Sequence, residues 1–566
     1  MENNDEKKVE EQPKVEEQAK VESPTETLST NTNMKMEPVV ENAEEEKPKK
    51  KSKAGVIVVI VLLLLVAIAT SVVYILFFNK GNNEVKKAES DTKEYKSEYR
   101  MTGNNIQNFD LAFAKLENKE ANKAYSPLSI KYTLGMLSEG SSGNTKKEIE
   151  AVIGDYTVKK YENNEHMSFA NALFIRDTFA DKIQDSYKTN LSSKYNAEVI
   201  TDKFENATPM NNWVKNKTFN LIDNLLSDDS VKEENFELIN ALAIDMNWIN
   251  RIQYASAKLP EGMNQIHYNV SYIHEKYSDY ISAIEEDNYP TITFNGKDNT
   301  KTVQVGASFN RYDIVKDKGE DNIRKTVSED MTKYLKENPS QVEVCPTVEE
   351  YVNTYIKEIG TNYKKESAST DFYISDNDNV KIFAKDLQTY GNTTLQYVGI
   401  MPKKKALTEY VKDIDAKTLR EEISNMKEVK LENFKEGTIT QIKGNIPLFK
   451  IDYKLELLED LGKLGLKDIF DINKADFSKM LKDEKQVITS ANHKATIEFS
   501  NDGIKAAAAT SMGGAGATSA CQYDYIYDVP VETIDVTFDK PYLFLIRDKS
   551  SGEVWFIGTV YEPLTK

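Results

Sequence analysis

Between Val56 and Phe78 the chain runs for 23 residues without a charge. As an α-helix this run is about 34 Å long, enough to cross a hydrocarbon core of ~30 Å. Its flanks are unequal. "KPKKKSK" sets five lysines between Lys47 and Lys53, whereas only Lys80 lies close on the other side. The positive-inside rule therefore places residues 1 to 53 in the cytoplasm and everything after Asn79 outside. A cleavable signal peptide would have an apolar core of about 7 to 15 residues behind a short leader, and neither condition holds. Residues 1 to 46 carry 14 acidic and 5 basic residues and almost no aromatics, too little apolar surface to fold. The expected organisation is a disordered acidic cytoplasmic tail (1–54) with a Lys-rich end, a transmembrane signal-anchor helix (55–78), a polar extracytoplasmic linker (79–104), and a globular domain (105–566).

That domain is long enough for a large core, with 39% hydrophobic and 10% aromatic residues over the whole chain. A net charge of -18, with no basic stripe in the main body, argues against a nucleic-acid partner. Cys345 and Cys521 make no disulfide framework, and their spacing in sequence says nothing of their distance in space; both are expected to be unpaired. Of four histidines, His166, His267, His274 and His493, none sits in a metal-site pattern such as H-E-x-x-H, and no metal or cofactor is expected. A G-x-S-x-G elbow is absent. The glycine-rich "MGGAGATSA" lacks both the dinucleotide-binding spacing and the Lys-Ser/Thr of a phosphate loop. No enzyme chemistry is legible.

Apolar residues recur at helical spacing in "NFDLAFAKLENK", in "SPLSIKYTLGMLSEG", with Ser126-Pro127 as a start and Gly140 as a stop, and in "MNNWVKNKTFNLIDNLL". Later segments, "IDVTFDKPYLFLIRD" and "EVWFIGTVYE", are rich in β-branched and aromatic residues and read as strands. Together they predict an α+β fold with a large, mostly antiparallel sheet. Residues 262 to 380 differ in composition, being rich in Asn, Asp, Lys and Tyr, with helical patches "VSEDMTKYLKENP" and "VEEYVNTYIKEIG"; an inserted subdomain is expected within them.

One stretch carries conflicting propensities. In "SNDGIKAAAATSMGGAGATSACQYDYIYDVP", residues 500 to 530, a tetra-alanine run meets Gly513, Gly514 and Gly516, each costing roughly 1 kcal/mol against Ala inside a helix. Between Ala506 and Ala520 only Met512 is bulky and apolar, so the segment reads as an exposed loop.

Seven separated motifs, in order, resemble the serpin family over about Asn105 to Pro563: "AYSPLSIKYTLGMLSEGSSGNTKKEI", "ANALFI", "MNNWVKNKTFNLI", "INALAIDMNW", "IPLFKIDYKLELLEDLGKLGLKDIF" with "ADFSKM", "ANHKATIEFSNDGIKAAAAT" and "VTFDKPYLFLIRDKSSGEVWFIGTVYEP". The last has Tyr542 where Phe is usual, and the usual Lys-Gly before Trp248 is absent. The resemblance implies a serpin fold of about nine helices around a central sheet, and an inhibitor of proteases rather than an enzyme. A protease attacks the exposed loop, and the loop then enters the main sheet as a new strand and traps the acyl-enzyme.

On this reading the stretch is a strand in waiting. From the hinge Gly503 the inward set is Ile504, Ala506, Ala508, Thr510, Met512, Gly514 and Gly516, none of them charged. The hinge comprises Gly503, Ile504, Lys505, Ala506, Ala507, Ala508, Ala509 and Thr510; the family more often has a small residue at Ile504 and Glu at Asn501 and Lys505. The attacked bond lies about fourteen residues past the hinge glycine in the family, roughly 46 Å of strand, which gives Ala517-Thr518. No Lys or Arg occurs between Ala506 and Val536, so the resemblance implies elastase-like or subtilisin-like serine proteases as targets, with papain-like cysteine proteases as a second class. Ser126, Ser129, Asn240 and His493 match the shutter beneath the opening sheet, and Trp248 its breach. The expected protein is a monomer anchored in a bacterial cell membrane by one pass. The alternative is a non-inhibitory binding or adhesion module on the same fold.

Overall fold

A computed structural model of the chain describes residues 97–250, 252, 290–361, 364–366, 371–501, 503–504 and 521–565. The tail, the apolar run 56–78, most of the linker, His267, His274 and loop residues 505–520, including Ala517 and Thr518, lie outside them. Among the described residues no helix is long and apolar enough to cross a membrane.

Among the described residues nineteen strands, numbered in chain order, form three sheets, one of them in two parts. One seven-stranded sheet is antiparallel throughout and runs β1 (Lys123–Tyr125), β19 (Val554–Val560), β18 (Tyr542–Asp548), β11 (Leu395–Pro402), β10 (Val380–Asp386), β9 (Phe372–Asp376), β12 (Lys427–Glu428). A smaller sheet runs β17 (Val531–Asp535), β13 (Ile439–Pro447), β7 (Lys297–Asn310), β6 (Thr291–Phe294), with β8 (Lys365–Glu366) on the end of β7. The third is drawn in two parts: β3 (Ala197–Asp202), β2 (Met167–Arg176), β4 (Phe236–Ile244); and β14 (Phe449–Glu456), β15 (Asn492–Phe499), β16 (Gly503–Ile504), β5 (Met246–Asn247). Because β5 continues β4 after one residue, these parts are one principal sheet, joined at one end and parted along the rest.

The strand reading at the C-terminus holds: β18 and β19 pair from Tyr542↔Val560 to Arg547↔Val554 and are buried almost throughout. An apolar run buried on both faces is what a central strand requires. The helix after Ser126 also holds. It spans Pro127–Gly140, with Pro at its first position and the Ser126 side chain accepting the Ser129 N–H at 3.1 Å, a proper cap. "MNNWVKNKTFNLIDNLL" is not one helix. It ends at Lys217, and Phe219 and Asn220 turn through φ of 52° and 62°, so that Ile222, Leu225 and Leu226 reach a second small core behind β2 and β4.

The described residues hold twelve α-helices rather than about nine. The excess is three, and three of the twelve, Ile314–Lys318, Glu320–Glu337 and Val348–Thr361, stand together between β7 and β8. They form a body with its own core of Tyr312, Ile314, Ile323, Val327 and Val352. The flanking strands of the span 262–380 are part of the sheets, so this helical insert is narrower than the compositional shift.

Candidate functional site

The seam of the principal sheet lies between β4 and β15. The strand β4 pairs with β2 along its whole length, Phe236↔Ile175 to Ile244↔Met167, and β15 pairs with β14 from Asn492↔Glu456 to Phe499↔Phe449. On its other edge, among the described residues, β15 has a strand partner only at Phe499, opposite Ile504. Aromatic packing fixes that end: Phe499 lies 4.7 Å from Tyr397 and 5.6 Å from Phe449 and Trp248, ring centre to ring centre. Below it, a cavity of about 110 Å³ lies between Phe236–Asn240, Val487–His493 and the helix face of Ser129, Thr133 and Leu137. Side chains cross there in place of a backbone ladder. Thr489 donates to Glu234, and Ser490 donates to Glu237 at 3.4 Å. Burial, with the Glu234 charge beside it, pushes the Glu237 carboxyl up to about 8.

Gly503 and Ile504 occupy the joined end. They pair antiparallel with Asn247 and Met246 on one side, and Ile504 pairs with Phe499 on the other. The chain has turned back after β15 and started down the seam. Ile504, larger than the residue usual there, is 1% exposed: its side chain is already seated in the core. Gly503 is required by close approach, since a β-carbon on it would stand 2.1 Å from the Met246 carbonyl oxygen. Trp248, also buried, donates its indole N–H to the Ser500 carbonyl at 3.0 Å and so grips the turn between β15 and β16.

Beneath the seam the four residues singled out in sequence are brought together with one that was not. The Ser126 backbone N–H donates to His493 Nε2 at 2.8 Å. The Ser129 hydroxyl donates to Asn240 Oδ1, whose amide donates to Asn171 at 2.7 Å, and Asn171 donates to the Tyr195 carbonyl at 2.8 Å. These bonds tie the buried helix to both lips, β4 through Asn240 and β15 through His493. Because Nε2 must accept, the ring is neutral there, and burial pushes its pKa down to about 4. Asn171 and Glu237 were missed, although a polar residue within the apolar run "ANALFI", and one at the head of "ELINALAI", was a visible signal.

The far root of the loop departs from expectation. Cys345 and Cys521 are not unpaired: they form a disulfide, with Cα atoms 4.5 Å apart across 176 residues of sequence. It joins the insert to the segment that follows the loop. There Tyr523 packs 4.9 Å from Tyr351 and 5.0 Å from Tyr334 and donates to Asp330 at 2.9 Å. Tyr525, Tyr527 and Val529 join the insert's own core. Neither cysteine's partner was legible, since spacing carries no distance at this separation; the alternating "YDYIYDV" was the available hint of a strand-like segment with one apolar face. Among the described residues no group of His, Cys, Asp and Glu could hold a metal.

The principal sheet is thus parted along one seam, with Gly503 and Ile504 taken in as a short strand at its joined end. The family model described as "Serpin (serine protease inhibitor)" matches residues 105–258 and 355–563, and the chain belongs to that family. The break in the match covers the helices Ile314–Lys318 and Glu320–Glu337 and the first residues of Val348–Thr361. Neuroserpin of Mus musculus is 22% identical over 468 residues, 79% of this chain and 87% of that protein. The leukocyte elastase inhibitor of Homo sapiens is 35% identical over 123 residues, 22% of this chain and 30% of that protein. The thermophilic serpin tengpin in its native state shares the fold, with a TM-score of 0.51 at 21% identity over 86% of this chain and 98% of that one.

Proposed function

We propose that this protein inhibits proteases as a suicide substrate. Cleavage near Ala517-Thr518 frees the loop from Gly503 onward to fill the seam, and the resulting strand insertion traps the acyl-enzyme of an elastase-like or subtilisin-like serine protease, with papain-like cysteine proteases as a second class. The observation that carries this reading is the pairing of Gly503 and Ile504 between β15 and β5, above an edge of β15 that has no strand partner among the described residues. Continued in register, Ala506, Ala508 and Thr510 follow Ile504 inward, and their small side chains fit a groove that must open to admit them. Ser126, Ser129, Asn240 and His493 act as the shutter, since their bonds to both lips break or shift when the lips move apart, and Trp248 acts at the breach.

The protein works outside a bacterial cell membrane, held by the single helix 55–78 with its N-terminus in the cytoplasm. The Cys345–Cys521 disulfide supports an oxidising compartment for the domain, and the lysine asymmetry supports the orientation.

Incubation of the full-length chain with elastase and with subtilisin tests the reading. The expected result is a complex that survives SDS, a fragment beginning at Thr518 after reduction, and a cleaved protein that melts at a higher temperature than the intact one. Cleavage with no such complex and no rise in melting temperature overturns it, and leaves the non-inhibitory binding module.

A further inference from the structure

The stretch from Ile504 to Cys521 is held at both ends: Ile504 by the sheet, Cys521 by a covalent bond to the insert. Sixteen residues, 505 to 520, join them. The hinge register fixes how much chain the seam takes. Ile504 stands opposite Met246, and each residue onward passes one residue further down β4, so that Gly514 arrives opposite Phe236, where that strand begins. These ten residues descend ~33 Å. From Gly514 to Cys521 the chain then reaches at most ~25 Å.

The insert stands at the end of the sheet where the loop enters. Just past β5, the Asn250 N–H donates to Asp371 at 2.9 Å; next to it Phe372 accepts the Val429 N–H at 2.9 Å. Arg311, at the insert's root, donates to the Leu431 carbonyl at 3.2 Å and also to that of Phe434. A loop end fixed to this body must come back up by as much as the loop goes down. Only about eight of the sixteen residues can then enter with the chain unbroken.

We propose that the helical insert is a restraint that makes loop entry conditional on cleavage, with Cys345, Cys521, Tyr523, Tyr525 and Tyr527 as positioning residues; this rests on the loop-entry reading above. While the bait bond is whole, the insert holds its distal side and the seam stays unfilled. Once the bond is cut, residues up to the cut descend freely and the distal side stays behind. Without the disulfide only non-covalent contacts hold the root: the tyrosines, Val529, and the Gln522 N–H donating to Gln341 at 3.0 Å. When they peel away, the return path lengthens by the ten residues before Val531, the first of β17, and the intact loop can go all the way down.

The test compares the full-length chain with its C345S/C521S form, both held without protease below their unfolding transitions. Mass spectrometry confirms that each stays uncleaved while capacity to trap subtilisin and melting temperature are followed. The disulfide-free protein is expected to lose capacity at least several-fold faster and, still uncleaved, to become more heat-stable, as the wild type becomes only on cleavage. Should it lose capacity no faster than the wild type, while cleaved wild type does gain stability, the restraint is refuted and loop entry stands. If cleaved wild type gains no stability, loop entry itself falls and the restraint falls with it. Should the double variant fold poorly, reduction of the folded wild type followed by thiol capping gives the same comparison.

Discussion

The carbonyl oxygen of Met246 lies where a β-carbon on Gly503 would have to go, 2.1 Å from it. Real β-carbons do not approach backbone oxygen so closely, so any side chain at 503 must push the hinge out from between β15 and β5. The substitution Gly503→Val is therefore expected to leave the bait cleavable but to block its entry. The measurable outcome is a shift in the ratio of cleaved protein to SDS-stable complex by roughly tenfold or more toward cleavage, about 1.4 kcal/mol in the partition between the two paths. An unchanged ratio would show that Gly503 is not the point of entry.

The lips of the seam titrate in opposite directions. Glu237, pushed up to about 8 from an ordinary 4.5, keeps its proton in the folded protein where the unfolded chain has lost it. Its contribution is complete below pH 4.5 and is lost as pH rises toward 8. His493, pushed down to about 4 from 6.5, contributes fully above pH 6.5 and progressively less as pH falls toward 4. Between 4.5 and 6.5 the two slopes cancel. Denaturant unfolding across this range is expected to give a plateau with a fall on each side. Glu237→Gln should remove the fall on the alkaline side and, with nothing left to offset His493, extend the acid-side fall up to about pH 6.5.

Asp110 and Lys131 form an ion pair at 2.6 Å with both side chains wholly buried, joining the helix Asn108–Leu116 to the helix Pro127–Gly140 that carries Ser129. Removing one partner strands the other charge away from water. Asp110→Asn is expected to cost about 3 to 5 kcal/mol of unfolding free energy, read from the denaturant midpoint. A loss below ~1 kcal/mol would mean that Lys131 finds water or another partner.

Target choice is set by one side chain if Ala517 is the residue attacked. Ala517→Arg places a cation where the bait has none, and is expected to raise the rate of trapping of a trypsin-like protease by roughly 100-fold or more while lowering that of elastase. Gain of trypsin cleavage at another bond, with elastase trapping unaltered, would move the attacked bond away from residue 517.

What could be read from the chain alone was whatever local chemistry decides. Ser126-Pro127 announces a helix start because a cap and a preset φ act within four residues, and "PYLFLIRD" announces a central strand because burial on both faces leaves no polar alternation. What could not be read depended on distant partners. The helix that stops at Lys217 is ended by the pull of Leu225 and Leu226 toward a core behind β2 and β4, a tertiary effect that overrides periodicity. The entry of Gly503 and Ile504 rests on pairing with Met246 and Asn247, more than 250 residues earlier. The Cys345–Cys521 bond depends on an insert whose existence was visible in composition but whose docking onto the loop root was not.

That bond also closes the chain on itself. Residues 345 to 521 form a covalent ring, and the bait lies inside it. A protease that cuts the bait and escapes opens the ring without releasing a piece: residues 518–566 stay linked to the rest through sulfur. The spent molecule exceeds the intact one by the mass of a single water and keeps every strand from β17 to β19, and its covalent record of the encounter is one opened ring.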